Sequence, residues 1–276
     1  MTGAGGMLGQ DVVATARVAG HEVAALTRVE LDVTDAEAVA GAVGAARPEA
    51  IVHCAAWTDV DGAESDPRGA SAVNEVGAGN VARAAAAAGA RLVHVSTDYV
   101  FDGEQHTPYV ESDTTGPRSV YGQTKLAGER AVADAGGSHA IVRSSWLFGL
   151  GGPNFVATML ALGAERDEIS VVADQVGCPT STAQLARALL ELAQANAQGI
   201  FHVAGAGNCS WHDFAVEIFR QAGVDCRVLP CATAEMPRPA PRPAFSALGS
   251  ERTTTPILVP WQQALSTYLA QRRIHA

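Results

Sequence analysis

Residues 2 to 9 read Thr-Gly-Ala-Gly-Gly-Met-Leu-Gly, which places Gly3, Gly6 and Gly9 three residues apart. Glycine permits a tight turn and lets backbone N–H groups approach a phosphate closely. The helix predicted to begin at about Met7 directs the positive end of its dipole to the same point. A glycine loop alone is weak evidence, because many turns have this composition. The regular strand–helix alternation that follows it strengthens the prediction of a dinucleotide pyrophosphate site.

Short apolar runs alternate with helical stretches through the first half of the chain. Such alternation is typical of a parallel sheet that helices cover on both faces. The predicted strands are 23–26, 50–53, 91–96 and 140–143, and the predicted helices are 36–46, 73–88 and 121–135. The predicted fold class is therefore α/β, a Rossmann-type doubly wound parallel sheet with a smaller C-terminal lobe.

The second half of the chain is less regular. Its predicted helices are 154–166, 181–195 and 211–222, and its predicted strands are 169–173 and 200–203. The stretch from Pro230 to Pro243 is rich in proline, which lacks a backbone N–H, so we expect it to be irregular.

The start of the chain departs from the usual order of strand, glycine loop and helix. Only Met1 and Thr2 precede the glycine loop, although this motif needs a strand before it, at the centre of the sheet. We therefore expect the sheet to lack most of that strand and Met1 to stand where a strand residue belongs.

The second predicted strand ends in Leu26-Thr27-Arg28. In this topology an Asp or Glu at that point holds the ribose hydroxyls of NAD. Without an acid nothing repels a 2′-phosphate, and Arg28 could pair with one, which favours NADPH over NADH. The alternative is that Arg28 is solvated and either cofactor binds.

A Tyr-x-x-x-Lys pair lies at Tyr121 and Lys125, within Tyr-Gly-Gln-Thr-Lys. Residues four apart lie on one face of a helix, so both side chains can reach the same reacting group. Tyrosine alone holds its proton too tightly to exchange it at neutral pH, and a neighbouring ammonium lowers its pKa. The pair is a candidate proton donor for the reduction of a carbonyl. Taken alone, the pair is better explained as a surface helix that carries one Tyr and one Lys by chance, and the rest of the chain reverses that judgement.

Composition excludes several classes of protein. The net charge of −10 and the pI near 5.2 argue against nucleic acid or an anionic membrane as a partner. The five cysteines show no CxxC and no zinc-ligand spacing, so we expect no metal and reduced thiols in a cytoplasmic protein. We also expect no membrane helix and no signal peptide.

Five longer sequence motifs indicate a particular protein family. Residues 96–103 read STDYVFDG, residues 120–129 read VYGQTKLAGE and residues 143–149 read RSSWLFG. Residues 174–180 read DQVGCPT, and residues 242–248 read RPAFSAL. With the glycine loop, these blocks resemble the dTDP-4-dehydrorhamnose reductases, extended short-chain dehydrogenases/reductases, in family order over nearly the whole chain.

The resemblance implies NAD(P)H-dependent reduction of the 4-keto group of dTDP-4-dehydro-L-rhamnose to dTDP-L-rhamnose. By position, Tyr121 would be the proton donor, and Lys125 would lower its pKa and hold the nicotinamide ribose. Thr97 would bind the keto oxygen, while Asp98 and Trp146 would contact the sugar.

The resemblance also places the cofactor. NADPH is the expected cofactor, with NADH as the alternative. Gly6, Met7 and Leu8 would line the pyrophosphate, and Asp32 and Val33 would contact adenine. A further group of residues follows the third predicted strand and would border the cofactor: Ala55, Ala56, Trp57 and Thr58.

The implied organisation is an NAD(P)-binding domain over residues 1–149, to which residues 180–204 return. Residues 150–276 would mainly form the lobe that binds the dTDP-sugar. The sequence leaves the oligomeric state open, with a homodimer as one option. Three alternatives stay open: a reductase of another nucleotide-linked 4-keto-6-deoxy sugar, an epimerase or dehydratase of the same superfamily, and a non-enzymatic NADP-binding regulator similar to the methionine adenosyltransferase subunit.

Overall fold

Short strands and helices alternate through residues 1–275, the part of the chain that the computed structural model describes. The strands are β1 (Ala50–His53), β2 (Arg91–Thr97), β3 (His139–Ser144), β4 (Leu147–Phe148), β5 (Glu168–Val172), β6 (Val176–Gly177), β7 (Thr180–Ser181), β8 (Gly199–His202), β9 (Cys209–Ser210) and β10 (Arg227–Cys231). The α-helices are α1 (Met7–Val18), α2 (Ala36–Ala46), α3 (Val60–Ser65), α4 (Pro67–Ser71), α5 (Ala78–Ala88), α6 (Val120–Asp134), α7 (Phe155–Glu165), α8 (Thr182–Gln194), α9 (Trp211–Ala222) and α10 (Trp261–His275).

The central sheet has the strand order β1-β2-β3-β8, and every neighbouring pair is parallel. Alternate residues of its strands face opposite sides. Ile51 and Leu92 pack with α2 and α5, whereas Val52 and Val93 pack with α1 and α8. Both faces are therefore buried, and the predicted α/β class with a doubly wound parallel sheet is confirmed.

A second hydrophobic core forms in the C-terminal part of the chain. There β5 and β10 pair in parallel, and α7, α9 and α10 pack together around buried aromatic and aliphatic side chains. Helix α9 begins with a capping box, in which the Ser210 hydroxyl and the Asp213 carboxylate each accept from the other residue's backbone N–H. Gly223, in the left-handed conformation at φ +71°, ends it.

Two predicted segments differ from the structure. The predicted strand 23–26 is wrong over most of its length, because only Leu26 pairs, in an isolated parallel bridge with Thr2. Residues 23–25 have no strand beside them to pair with in the described chain. The expectation that the proline-rich stretch is wholly irregular is also wrong, because Pro230 lies within β10. That sheet has only two strands, and an edge strand tolerates a residue without an N–H.

The predicted helix 73–88 is also interrupted. Residues 72–77 form a π-helix that runs into α5. Such segments are rare and commonly mark functional sites. Here the π-helix packs against α6, where a Cβ on Gly128 would lie only 2.1 Å from the carbonyl oxygen of Asn74.

A buried ion pair ties α6 to the sheet. The Glu129 carboxylate accepts from Nε and Nη2 of Arg143 on β3, at 2.9 and 2.7 Å. It also accepts from the Ser96 hydroxyl on β2 at 2.5 Å. The side chains of Glu129 and Arg143 are at most 4% exposed. Because the network spans two strands and a helix, it holds the third turn of α6, which carries Glu129, against β2 and β3.

Glu129→Gln should lower the free energy of unfolding by about 3 kcal/mol, because it leaves the Arg143 guanidinium buried without its counter-charge. Urea unfolding measures the change. The matched control is Glu104→Gln, which breaks the exposed pair between Glu104 and Arg118 and should cost no more than about 1 kcal/mol. Equal losses in the two variants would contradict a structural role for the buried pair.

Candidate active site

The glycine loop fits closely against the chain that follows β1. Gly3 has φ +72°, and a Cβ on it would lie 2.5 Å from the backbone nitrogen of Ala55. A Cβ on Gly9 would lie 2.1 Å from the carbonyl oxygen of Gly3. A side chain at either position would therefore clash with the backbone and displace the glycine loop.

Helix α1 begins directly after this loop, and no side chain caps its first turn. The residue before the helix is Gly6, which has an extended backbone at φ −76° and ψ 164°. The backbone N–H groups of the first turn, which include those of Met7 and Leu8, are thus available to an anion at the positive end of the helix. These N–H groups are what the predicted phosphate site needs, and the site itself stays a prediction.

The chain after residue 26 forms one side of the loop. A Cβ on Gly5 would lie 3.5 Å from the Thr27 methyl group, so Thr27 borders the glycine loop. Arg28 is the next residue along the chain. Arg28 is exposed. Glu30, an acidic residue that the sequence pattern does not single out, lies beside the same turn, where its carboxylate accepts from the Thr27 N–H at 2.8 Å. The pKa of Glu30 is lowered by that hydrogen bond.

The predicted adenine contacts differ in burial. Asp32 is exposed, and its carboxylate accepts from the N–H and the hydroxyl of Thr34, which lowers its pKa. Val33 is buried. The N-cap of α2 is Asp35 rather than Asp32.

Asn74 holds the segment 55–58 in place. Its side chain accepts from the Trp57 N–H at 2.8 Å and donates to the Trp57 carbonyl oxygen at 3.2 Å. It also donates to the Thr124 hydroxyl on α6 at 3.1 Å. Its position before an alanine-rich helix carries no signal of these long-range contacts, which join the predicted cofactor segment to the helix of Tyr121 and Lys125.

Tyr121 and Lys125 lie on one helix, as predicted, in the first two turns of α6. A Cβ on Gly122 would lie 2.2 Å from the Tyr99 carbonyl oxygen, so the helix approaches that backbone closely. The Tyr121 ring packs edge-on against Tyr99, with 5.7 Å between ring centroids. Lys125 is 2% exposed, and its ammonium donates to the Val95 carbonyl oxygen at 2.7 Å.

The pKa of the tyrosine differs from the sequence-based expectation. Burial raises the pKa of Tyr121 to about 12, while a hydrogen bond with Thr97 lowers it and the charge of Asp98 raises it. Burial also lowers the pKa of Lys125 to about 8, while Glu129 raises it. Lys125 is not among the groups that shift the pKa of Tyr121, so the expected lowering by Lys125 is wrong, and desolvation of the phenol dominates instead.

Thr97 and Asp98 end β2 beside Tyr121. The Thr97 hydroxyl accepts from the Tyr99 N–H at 3.2 Å and donates to one Asp98 carboxylate oxygen at 3.0 Å. Burial raises the pKa of Asp98 to about 6, although hydrogen bonds from Ser246 and Thr97 lower it. The other carboxylate oxygen, Oδ2, is buried without a hydrogen-bond partner within 3.5 Å. An unpartnered buried oxygen destabilises the site, and a ligand hydroxyl would satisfy it.

Trp146 has a left-handed backbone, with φ +48°, which is rare for a bulky residue. Its indole stacks face to face on that of Trp211, with 3.5 Å between centroids and an interplanar angle of 5°. A Cβ on Gly177 would lie 2.4 Å from the Trp146 indole. Trp211 was not predicted from the sequence, because only the three-dimensional packing brings it against Trp146.

Two further features bear on function. Among the side chains of residues 1–274, no group of three or more His, Cys, Asp or Glu is arranged to hold a metal ion. No helix in the same residues is both long and apolar enough to cross a membrane.

Comparisons with known proteins identify the family of this chain. The model of the RmlD substrate binding domain family matches residues 1–274. A dTDP-4-dehydrorhamnose reductase of Mycolicibacterium smegmatis is 46% identical over 98% of this chain and 84% of its own length. A dTDP-4-keto-6-deoxy-D-glucose reductase of Streptomyces niveus is 42% identical over 96% of this chain and 94% of its own length.

A solved structure shows the same fold. The dTDP-4-dehydrorhamnose reductase of Bacillus anthracis, in complex with NADP, superposes with a TM-score of 0.95 at 39% identity. The match covers 98% of this chain and 97% of that one. Together with the family match over residues 1–274, this similarity confirms the resemblance found in the sequence, and the chain belongs to the dTDP-4-dehydrorhamnose reductase family.

Proposed function

We propose that this protein reduces the 4-keto group of dTDP-4-dehydro-L-rhamnose to give dTDP-L-rhamnose, with NADPH as the reductant. The observation that carries the proposal is the placement of Tyr121, Thr97 and the buried Lys125 at one end of β2 and α6. The family assignment supports the substrate class, because the relatives named above are reductases of dTDP-sugars.

The glycine loop fits a dinucleotide. Gly3 and Gly9 have no room for a side chain, and the uncapped start of α1 offers N–H groups to a pyrophosphate. Arg28 would hold the 2′-phosphate, and residues 55–58 would border the cofactor at the segment that Asn74 fixes. NADPH supplies a hydride to the sugar carbon when it is bound.

Tyr121 and Thr97 act on the carbonyl oxygen. As the oxygen gains negative charge, Tyr121 would stabilise it by donating a hydrogen bond, and Thr97 would do the same once its hydroxyl turns away from the Asp98 carboxylate. A pKa of about 12 keeps Tyr121 protonated at neutral pH, which is the state that a proton donor for reduction needs. An alkoxide is a stronger base than a phenolate, so it takes the proton despite the raised pKa. The Lys125 ammonium, one turn further along α6, would then stabilise the phenolate that is left.

The substrate contacts extend over the second lobe. Asp98 would bind a sugar hydroxyl through its unpartnered Oδ2, and the Trp146 indole would pack on the sugar ring. In this assignment residues 1–149 with 180–204 hold the cofactor, and residues 150–276 mainly hold the dTDP-sugar.

We further infer that the enzyme is cytoplasmic, because nucleotide sugars are made in the cytoplasm. A homodimer is an additional prediction that light scattering checks.

A second candidate is reduction of another dTDP-linked 4-keto-6-deoxy sugar. The observation in its favour is the 42% identity to a relative named for such a substrate. Turnover with NADPH, measured on each sugar nucleotide in turn, distinguishes the two. A higher kcat/KM for dTDP-4-dehydrorhamnose supports the first assignment. Tight NADPH binding without turnover of either sugar would indicate the non-enzymatic regulator instead.

Tyr121→Phe should lower kcat by roughly 10²-fold or more, the scale of a general-acid contribution, because it removes the proton and keeps the ring. The Kd for NADPH, from cofactor fluorescence, should stay near the parental value. Tyr268→Phe, on the distant α10, is the matched control and should keep parental turnover. A parental rate in Tyr121→Phe would show that another group donates the proton.

Arg28→Ala should reduce the preference for NADPH, because it removes the cation assigned to the 2′-phosphate. The ratio of kcat/KM for NADPH to that for NADH should fall by about tenfold, the effect of one charged contact worth ~1.4 kcal/mol. Arg17→Ala is the matched control, since it lies at the other end of α1, about 15 Å along the helix axis. An unchanged ratio in Arg28→Ala, or a parental preference for NADH, would refute this role.

Trp211→Leu should raise the KM for the sugar nucleotide about fivefold, because an aromatic pair contributes ~1 kcal/mol and holds the Trp146 indole in place. The KM for NADPH should not change. Trp211→Phe keeps an aromatic ring and should restore most of the sugar affinity. Equal losses for sugar and cofactor would indicate a general folding defect rather than positioning of Trp146.

A further inference from the structure

Residues 149–154, which read Gly-Leu-Gly-Gly-Pro-Asn, form a loop that we call the connecting loop. It follows β4 and leads into α7, a helix of the second hydrophobic core. A Cβ on Gly152 would lie 3.4 Å from the Cβ of Met7, so the connecting loop reaches the first turn of α1. At this point the second lobe meets the candidate phosphate site.

Gln10, on α1, joins the connecting loop to the glycine loop through one amide group. Its Nε2 donates to the Gly5 carbonyl oxygen at 3.0 Å and to the Gly151 carbonyl oxygen at 2.9 Å. Both partners are acceptors, so only the NH₂ end of the amide can face them, and each of its two hydrogens has a partner. A single side chain at the candidate phosphate site therefore bridges the two loops.

Asn154 holds the connecting loop in one conformation. Its Nδ2 donates to the Gly149 carbonyl oxygen at 2.8 Å and to the Gly152 carbonyl oxygen at 3.0 Å. Its Oδ1 accepts from the Ala157 N–H at 3.1 Å, which makes Asn154 the N-cap of α7. Because the same side chain binds the loop and caps the helix, a displacement of the connecting loop is passed on to the start of α7.

Both ends of the connecting loop lead to the stacked indoles of Trp146 and Trp211. At its start, only the two residues of β4 separate it from Trp146. At its end, Phe155 opens α7, and its ring centroid lies 4.5 Å from that of Trp211. The left-handed backbone of Trp146 is unfavourable for a bulky residue, so its position depends on the structure around it. The connecting loop therefore supports the indole assigned to the sugar from two directions.

We propose that Gln10 is a positioning residue that couples the cofactor site to the sugar site, because it ties the glycine loop to the connecting loop and so to Trp146. Whichever ligand binds first fixes both loops, so the second ligand loses less conformational entropy on binding. The coupling is reciprocal, and each ligand raises the affinity for the other by the same factor. It rests on the proposed function for the identity of the two ligands and assigns a role to a residue outside the reduction chemistry.

The test measures the Kd for dTDP-L-rhamnose by calorimetry, with and without saturating NADP⁺. In the parent, NADP⁺ should tighten this binding at least about fivefold, the low end of typical couplings. Gln10→Met keeps an unbranched side chain and removes both donors, so the coupling factor should fall to about one. The Tm should change by no more than about 2 °C, because Gln10 is exposed.

Gln221→Met, on α9, is the matched control. The Nε2 of Gln221 also donates to a backbone carbonyl oxygen, that of Gln262 at 3.0 Å, but both residues lie in the second lobe. Coupling in this variant should stay at the parental value.

Hydrogen exchange tests the same link without any sugar nucleotide. NADP⁺ alone should slow amide exchange over residues 149–157 of the parent at least about threefold, because it holds the connecting loop through Gln10. In Gln10→Met, NADP⁺ should leave exchange in these residues unchanged, while it still protects the glycine loop.

Parental coupling and parental protection of residues 149–157 in Gln10→Met would overturn the role of Gln10. So would an equal loss of coupling in Gln10→Met and Gln221→Met, which would indicate a general loosening of the fold. If the parent binds NADP⁺ but not dTDP-L-rhamnose, the proposed substrate is wrong. The exchange measurement then decides by itself whether Gln10 links the two loops.

Discussion

The close approach of α6 to the backbone on two sides determines the site. Gly122 faces the Tyr99 carbonyl, and Gly128 faces the Asn74 carbonyl, at separations where any side chain would collide. Tyr121 directly precedes the first of these contacts, Lys125 lies between the two, and Glu129, directly after the second, is held by Arg143. Glycine allows the approach and the buried ion pair fixes its direction. The position of Tyr121, the proposed proton donor, relative to the end of β2 follows from this packing.

Burial shifts the pKa values of the two residues of the Tyr–Lys pair in opposite directions. It favours the neutral form of each group, so the pKa of Tyr121 rises to about 12 and that of Lys125 falls to about 8. The tyrosine is thus kept as an acid, and the lysine keeps its charge through Glu129 and the Val95 carbonyl. In this state the pair is suited to giving a proton to a carbonyl oxygen that gains negative charge.

Much of the fold could be predicted from the sequence because local patterns determine it. The boundaries of α2 and α9 follow from Asp35 and Gly223, which are local caps. The strand predicted at 23–26 failed because a strand needs a neighbour, and its periodicity does not show whether one is present. Asn74 and Trp211 were missed for a related reason. Their partners are distant along the chain, at Thr124 and Trp146, so no local signal identifies them.

The most direct test of the account is the fate of the hydride. The enzyme is given dTDP-4-dehydrorhamnose and NADPH that carries deuterium at both positions of the nicotinamide C4, and the sugar nucleotide is analysed by mass spectrometry and proton NMR. The account predicts one deuterium at C4 of the sugar for each NADPH consumed. A sugar altered without net consumption of NADPH, or a product without deuterium at C4, would contradict it and indicate epimerase or dehydratase chemistry instead.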